Sequence, residues 1–132
     1  MPAEIQPQLW VDDGPAAVAF YERALGATVV HRVSGPAGHE VVAQLEVAGA
    51  RFWVANTAAA MGRLSPAATR GATARFLLVV EDPEAVVASA AAAGATVTSP
   101  VGDEHGWRLG RIVDPFGHEW EVGHPLGGRP DA

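Results

Sequence analysis

The stretch Asp114-Pro115-Phe116-Gly117-His118-Glu119-Trp120-Glu121-Val122 decides how the rest of the chain is read. Its first half has the chemistry of a tight turn. Asp114 can accept backbone hydrogen bonds, Pro115 fixes φ, and Gly117 supplies a left-handed position. From His118 onward the side chains alternate as in a strand: Glu119 and Glu121 share one face, Trp120 and Val122 the other. The apolar face has to be covered, and the carboxylate face looks into whatever the sheet leaves open. Nearly all of the chain precedes this strand, so it is expected to be the last strand of a sheet that the rest has built.

Working back from it, strands are expected at residues 107–113 and 95–98, a helix from the Glu81-Asp82-Pro83 cap to Gly94, and a strand at 76–80. The first half of the chain repeats this order. Residues 5–11 alternate, with Ile5, Leu9 and Val11 on one side and Gln6, Gln8 and Trp10 on the other. Asp13 and Pro15 open a helix that Gly26 closes. Strands follow at 27–34, 39–48 and 51–54. Val11-Asp12-Asp13 corresponds to Val80-Glu81-Asp82, and Gly26-Ala27-Thr28-Val29 to Gly94-Ala95-Thr96-Val97. The expectation is one α+β domain of two β-α-β-β-β modules, residues 5–56 and 72–125. A linker at 57–71, without period and open to movement, joins them, and a frayed tail covers 126–132. Two such modules placed side by side would turn their concave faces into a cleft.

The 132 residues carry a formal charge of −6 with a pI of about 5.2, which argues against nucleic acid or an anionic membrane as partner. No cysteine is present, so disulfide and thiolate chemistry are excluded. Met1-Pro2-Ala3-Glu4 has neither a charged region nor an apolar run, and no apolar stretch approaches ~18 residues. A cytoplasmic location is expected. The phosphate-loop, dinucleotide and nucleophile-elbow signatures are absent from the sequence.

The duplicated unit and the closing Asp114-Pro115-Phe116-Gly117-His118-Glu119-Trp120 resemble the vicinal oxygen chelate superfamily, above all its glyoxalase/bleomycin-resistance proteins. The spacing from Trp107-Arg108 to Asp114 is also similar to the branch related to phosphonate-operon and demethylubiquinone-methyltransferase-like proteins. The resemblance covers roughly residues 5–125 and implies a homodimer whose cleft forms within one chain or across two. Members either hold a divalent metal or have lost it and bind ligands. The metal positions carry over to Gln6, with Gln8 beside it, and to Trp53, Arg75 and Glu121. Trp53 offers no ligand atom and Arg75 is a fixed cation, so neither metal nor other cofactor is expected.

The residues expected to bind ligand are Gln8, Trp10, Trp53, Arg75, Trp107, Arg108 and Glu121. Trp10 and Trp53 would stack on a planar ring; Glu121 would pair with Arg75 across the cleft or be simply solvated. Arg108 would clamp an oxygen, or else pair with Asp103 or Glu104. Met61 and Leu64 would close as a lid, or belong to a disordered connector. His31, His39, His105, His118 and His124 form no helical metal pair, and no catalytic residue is assigned. Two functions follow. One is a metal-free binder that sequesters a small aromatic ligand, cationic or neutral to suit the acidic chain, as bleomycin-resistance proteins do for an antibiotic. The other is a metal-dependent lyase, isomerase or dioxygenase using Glu121 with Gln6 or Gln8. The weak metal set favours the binder over the enzyme.

Overall fold

A computed structural model describes residues 2–36, 38 and 40–127; His39 and the tail from residue 128 lie outside them. Unit one runs β1 (Gln8–Val11), α1 (Gly14–Leu25), β2 (Thr28–Ser34), β3 (Val41–Val47) and β4 (Ala50–Asn56). Unit two runs β5 (Arg75–Val79), α3 (Pro83–Ala93), β6 (Thr96–Glu104), β7 (Trp107–Val113) and β8 (Glu119–Pro125), after the single-turn helix α2 (Pro66–Thr69). Each unit is a four-stranded mixed sheet, ordered β1-β4-β3-β2 and β5-β8-β7-β6. The first strand of each pairs parallel with the last, and the other pairings are antiparallel. The repeat seen in the sequence is thus a repeat of topology.

The helix ends follow from local chemistry. The Asp13 side chain accepts from Ala16 N at 3.0 Å, and Gly26 ends α1 at φ 68°. Asp82 caps α3 in the same way through Ala85 N at 3.1 Å. Several strand boundaries differ from expectation by a residue or more, three of them for a clear physical reason. β1 starts at Gln8, and Ile5 is 92% exposed instead of sharing the core side with Leu9 and Val11. Before Pro7, which has no N–H to donate, the chain joins no ladder. β4 extends to Asn56, carried by its ladders to β1 and β3. β6 runs on to Glu104 through two register shifts, which an edge strand tolerates.

The two units meet through their helix-facing sides. Phe52 of the first sheet and Trp120 of the second touch at 5.4 Å between ring centroids. Tyr21 of α1 packs on both, at 5.2 and 5.8 Å. At the helix ends, the Ser89 hydroxyl of α3 donates to the Arg23 carbonyl of α1 at 2.9 Å. One continuous core results, with Leu9, Val11, Val41, Ala43 and Leu45 from one unit and Ile112, Trp120 and Val122 from the other.

Asp114 pins this core. Its Oδ1 accepts from Phe116 N (2.9 Å) and His118 N (3.0 Å), which closes the β7–β8 turn. Its Oδ2 accepts from the Tyr21 hydroxyl of unit one and from Trp120 Nε1 at 3.0 Å. A carboxylate only 3% exposed is tolerable because four donors replace its water. The turn is also tight from outside: a Cβ on Gly117, which sits at φ 90°, would lie 2.8 Å from Pro66 Cβ.

The linker, which the sequence left open to movement, is tied to unit one by side chains. Asp12 holds it at two points, Oδ1 accepting from the Thr57 hydroxyl (3.1 Å) and Oδ2 from the buried Ser65 hydroxyl (3.0 Å). Between them Ala58 and Arg63 exchange backbone hydrogen bonds of 2.9 and 3.1 Å. These are side-chain and turn bonds, not an amphipathic face, so no hydrophobic period marks them in the sequence.

Two outcomes test this packing. Burial and the neighbouring Asp114 carboxylate push the Tyr21 phenol well above its ordinary value of 10.0. A raised native pKa contributes stability that is intact below about pH 10 and lost as pH rises toward the native value. Tyr21→Phe should cost about 1.5–3 kcal/mol at neutral pH and remove this alkaline component, measured by urea unfolding across pH; an unchanged alkaline slope would contradict it. Asp12→Ala should speed thermolysin cleavage within residues 57–65 about tenfold, a local loss of about 1–2 kcal/mol, with the fold retained; unchanged cleavage would show that the clamp is idle.

Candidate ligand-binding site

With the helix sides spent on the shared core, the opposite face of each sheet is bare. Val33 (55% exposed) and Val42 (45%) on the first sheet, and Leu77 (44%) and Val79 (57%) on the second, lie open among the described residues. β-alternation and register fix what else lies there. Gln8, Trp53, Gln44 and His31 form one row across the first sheet, and Trp10, Ala55, Val42 and Val33 the next. Leu77, Glu121 and Arg111 form a row on the second.

On the first sheet, Gln6 Oε1 accepts from Trp53 Nε1 (2.7 Å) and Gln44 Nε2 (2.9 Å). The indole of Trp53 is thereby fixed by its edge. Trp10 is held from three directions. Its strand pairs with β4, its carbonyl accepts from His118 Nε2 at 2.9 Å, and the Arg63 guanidinium lies over its ring at 5.1 Å from the centroid. A carbonyl only accepts, so that His118 nitrogen carries the proton. Two hollows flank Trp10. One, about 340 Å³, is floored by Val33, Val42 and Ala55 and rimmed by Met61 and Arg63. The other, about 220 Å³, lies between the units, with Gln8, Leu64, Ala74, Phe76 and His118 in its walls. A larger hollow of about 720 Å³ near the β3–β4 turn and His124 contains none of the tryptophans.

On the second sheet, Glu121 Oε2 meets two guanidiniums, Arg111 Nε at 3.0 Å and Arg75 Nη2 at 3.3 Å. Arg75 and Glu121 are side by side on neighbouring strands of one sheet, so their ion pair runs along a face where the sequence suggested it would cross a cleft. Arg111 also reaches Glu104 at 2.7 Å. Hydrogen bonds to Glu104, then to Glu121, hold its guanidinium protonated even more firmly than usual.

The expected site residues therefore fall into three groups. Gln8, Trp10 and Trp53 share the bare face of unit one. Arg75 and Glu121 share that of unit two. Trp107 lies at the far end of β7, and Arg108 turns to the helix side, where Nε donates to Glu84 of α3 at 2.8 Å and Nη1 to Asp103 at 2.8 Å. The Asp103 ion pair was one of the two readings of Arg108 that the sequence left open. Met61 and Leu64 sit on the ordered linker at the rims of the two hollows.

Sequence reasoning missed Gln44, Arg63 and Arg111. Alternation with buried Ala43, Leu45 and Ile112 was signal enough for Gln44 and Arg111. Arg63 had none, because it arrives by the linker's turns.

The positions to which the resemblance assigns metal ligands do not fit a divalent ion. Gln6 Oε1 already serves two donors, Trp53 has no ligand atom, Arg75 is a cation, and Glu121 is held by two cations. Among the described residues, no three His, Cys, Asp or Glu side chains gather.

Comparison with known proteins agrees with this architecture. A relative of 35% identity over 126 residues, the uncharacterized protein Rv0887c of Mycobacterium tuberculosis, matches 92% of this chain and 74% of its own length. The solved structure of the Arabidopsis thaliana At5g48480 gene product superposes with a TM-score of 0.67 at 31% identity, covering 92% of this chain and 97% of that one. TioX from Micromonospora sp. ML1 shares the fold at a TM-score of 0.73 and 24% identity, covering 95% of this chain and all (100%) of its own. The fosfomycin resistance protein FosX of Mesorhizobium loti shares it at 0.70 and 10%, covering 96% and 94%. The model of the Glyoxalase/Bleomycin resistance protein/Dioxygenase superfamily matches residues 5–122, and the chain belongs to that superfamily.

Proposed function

We propose that the protein binds a small planar aromatic molecule on the bare face of unit one and sequesters it, as the bleomycin-resistance members of its superfamily do. The observation that carries this reading is the pair Trp10 and Trp53, held on an uncovered sheet face by Gln6, His118 and the linker. An indole locked by its edge offers its ring face at little entropic cost, and each aromatic stack contributes about 0.5–1.5 kcal/mol beyond area burial. The misfit of the metal positions supports binding over metal-assisted catalysis. Glu121, the carboxylate on which an enzymatic reading depends, is engaged by Arg75 and Arg111.

The bare valines and leucine support a homodimer. A second copy that laid its unit-two face over the unit-one face would cover Val33, Val42, Leu77 and Val79 and enclose the ligand between the tryptophans and the Arg75–Glu121–Arg111 row. A cup of that kind excludes water from the ring without any metal.

Tryptophan fluorescence tests the reading. Titration with planar aromatics, from naphthalenes to acridine and quinoxaline antibiotics, should quench emission saturably for at least one class. Trp10→Phe and Trp53→Phe should each weaken that binding about tenfold, equivalent to about 1.4 kcal/mol, whereas Trp107→Phe should leave it unchanged. No saturable response to any planar aromatic would overturn the function.

A further inference from the structure

The rim of the 340 Å³ groove carries the cation Arg63, and the carboxylate of Glu40 lies elsewhere in its wall, not paired with it. Arg63 has no carboxylate within ion-pair distance among the described residues, and its guanidinium donates no hydrogen bond to them. Arg51, Arg75, Arg108 and Arg111 are all paired with acids. Arg63 is nevertheless fixed, because its backbone exchanges hydrogen bonds with Ala58 and its guanidinium lies on Trp10. A guanidinium centred 5.1 Å from an indole centroid, with no acceptor among the described residues, keeps its N–H groups free in a planar fork, the geometry that matches a carboxylate. Below it the floor of Val33, Val42 and Ala55 is apolar.

From this juxtaposition we propose that the groove selects a planar aromatic carboxylate, its ring on the floor beside Trp10 and its carboxylate on the Arg63 fork. The inference rests on the aromatic-binding reading above and names the ligand's charge. It departs from the cationic or neutral ligand that the net charge of −6 suggested. Net charge acts at long range and is screened over about 8 Å at physiological salt. A guanidinium at contact, beside an apolar floor, acts through two short charge-assisted hydrogen bonds. Arg63→Gln keeps the polarity and most of the length of the rim and removes the charge, the fork and the cation–π contact with Trp10.

Three isosteric probes distinguish the possibilities by calorimetry on the full chain: 2-naphthoate, 2-naphthamide and 2-naphthylmethylammonium. The naphthoate should bind about tenfold tighter than the amide, the equivalent of about 1.4 kcal/mol, and the ammonium weakest. Arg63→Gln should bring the naphthoate and amide affinities within about twofold of each other, since the amide makes no ion pair and any loosening of Trp10 weakens both alike; Arg63→Lys should restore part of the naphthoate's advantage. If the amide or ammonium binds as tightly as the naphthoate, or Arg63→Gln leaves the naphthoate unchanged while Trp10→Phe weakens all three, the Arg63 assignment is overturned and the aromatic platform stands. If none of the three binds, the Arg63 assignment is overturned, and the aromatic platform stands or falls by the wider fluorescence titration.

Discussion

One buried carboxylate holds the two halves of this protein in register. Asp114 joins the β7–β8 turn, the Trp120 indole and the Tyr21 phenol of the other unit. Besides the Tyr21 link the units share the Ser89–Arg23 and His118–Trp10 hydrogen bonds and a body of apolar contacts, which are strong but non-directional. With the Asp114 link, Tyr21 of α1 is set against Trp120 of β8, and Phe52, Trp120 and Tyr21 interlock. All four donors to this carboxylate come from the fold itself, so its role is architectural.

That constraint decides where binding can occur. Because each sheet spends its helix side on the shared core, the opposite side must meet solvent, a ligand or another chain. The exposed Val33, Val42, Leu77 and Val79 would be costly if they met only water, and they surround the tryptophans and the Arg75–Glu121–Arg111 row. The same turn that fixes the core also sends His118 to the Trp10 carbonyl. Core and candidate site are therefore coupled through one nine-residue stretch: 114–118 shape the turn and the link to Trp10, and 119–122 split between the two faces.

The fold was legible because its punctuation is local. Asp13, Asp82, Gly26 and Gly94 cap helices through neighbours three to five residues away, and the duplicated order of elements can be read without tertiary knowledge. The tryptophans of unit one and the Arg75–Glu121 pairing were legible from alternation and the superfamily resemblance. Three things were not. The order of the linker depends on Asp12 reaching Thr57 and Ser65, some 45 and 53 residues away. The turning of Arg108 toward Glu84 depends on where α3 lies. The packing of the units by their helix sides depends on a tyrosine and an aspartate 93 residues apart. Each is a long-range side-chain contact that no period or cap announces.

The positions to which the superfamily resemblance assigns metal ligands do not fit a divalent ion, and that claim can be met head on. Chelator-stripped protein should be titrated calorimetrically with Zn²⁺, Mn²⁺, Ni²⁺ and Co²⁺. No saturable heat is expected, because the family's ligand positions hold Trp53 and Arg75, and Glu121 is committed to two guanidiniums. Stoichiometric binding that is lost in Glu121→Gln would contradict this, and would mean that Glu121 leaves its arginines to build a metal centre.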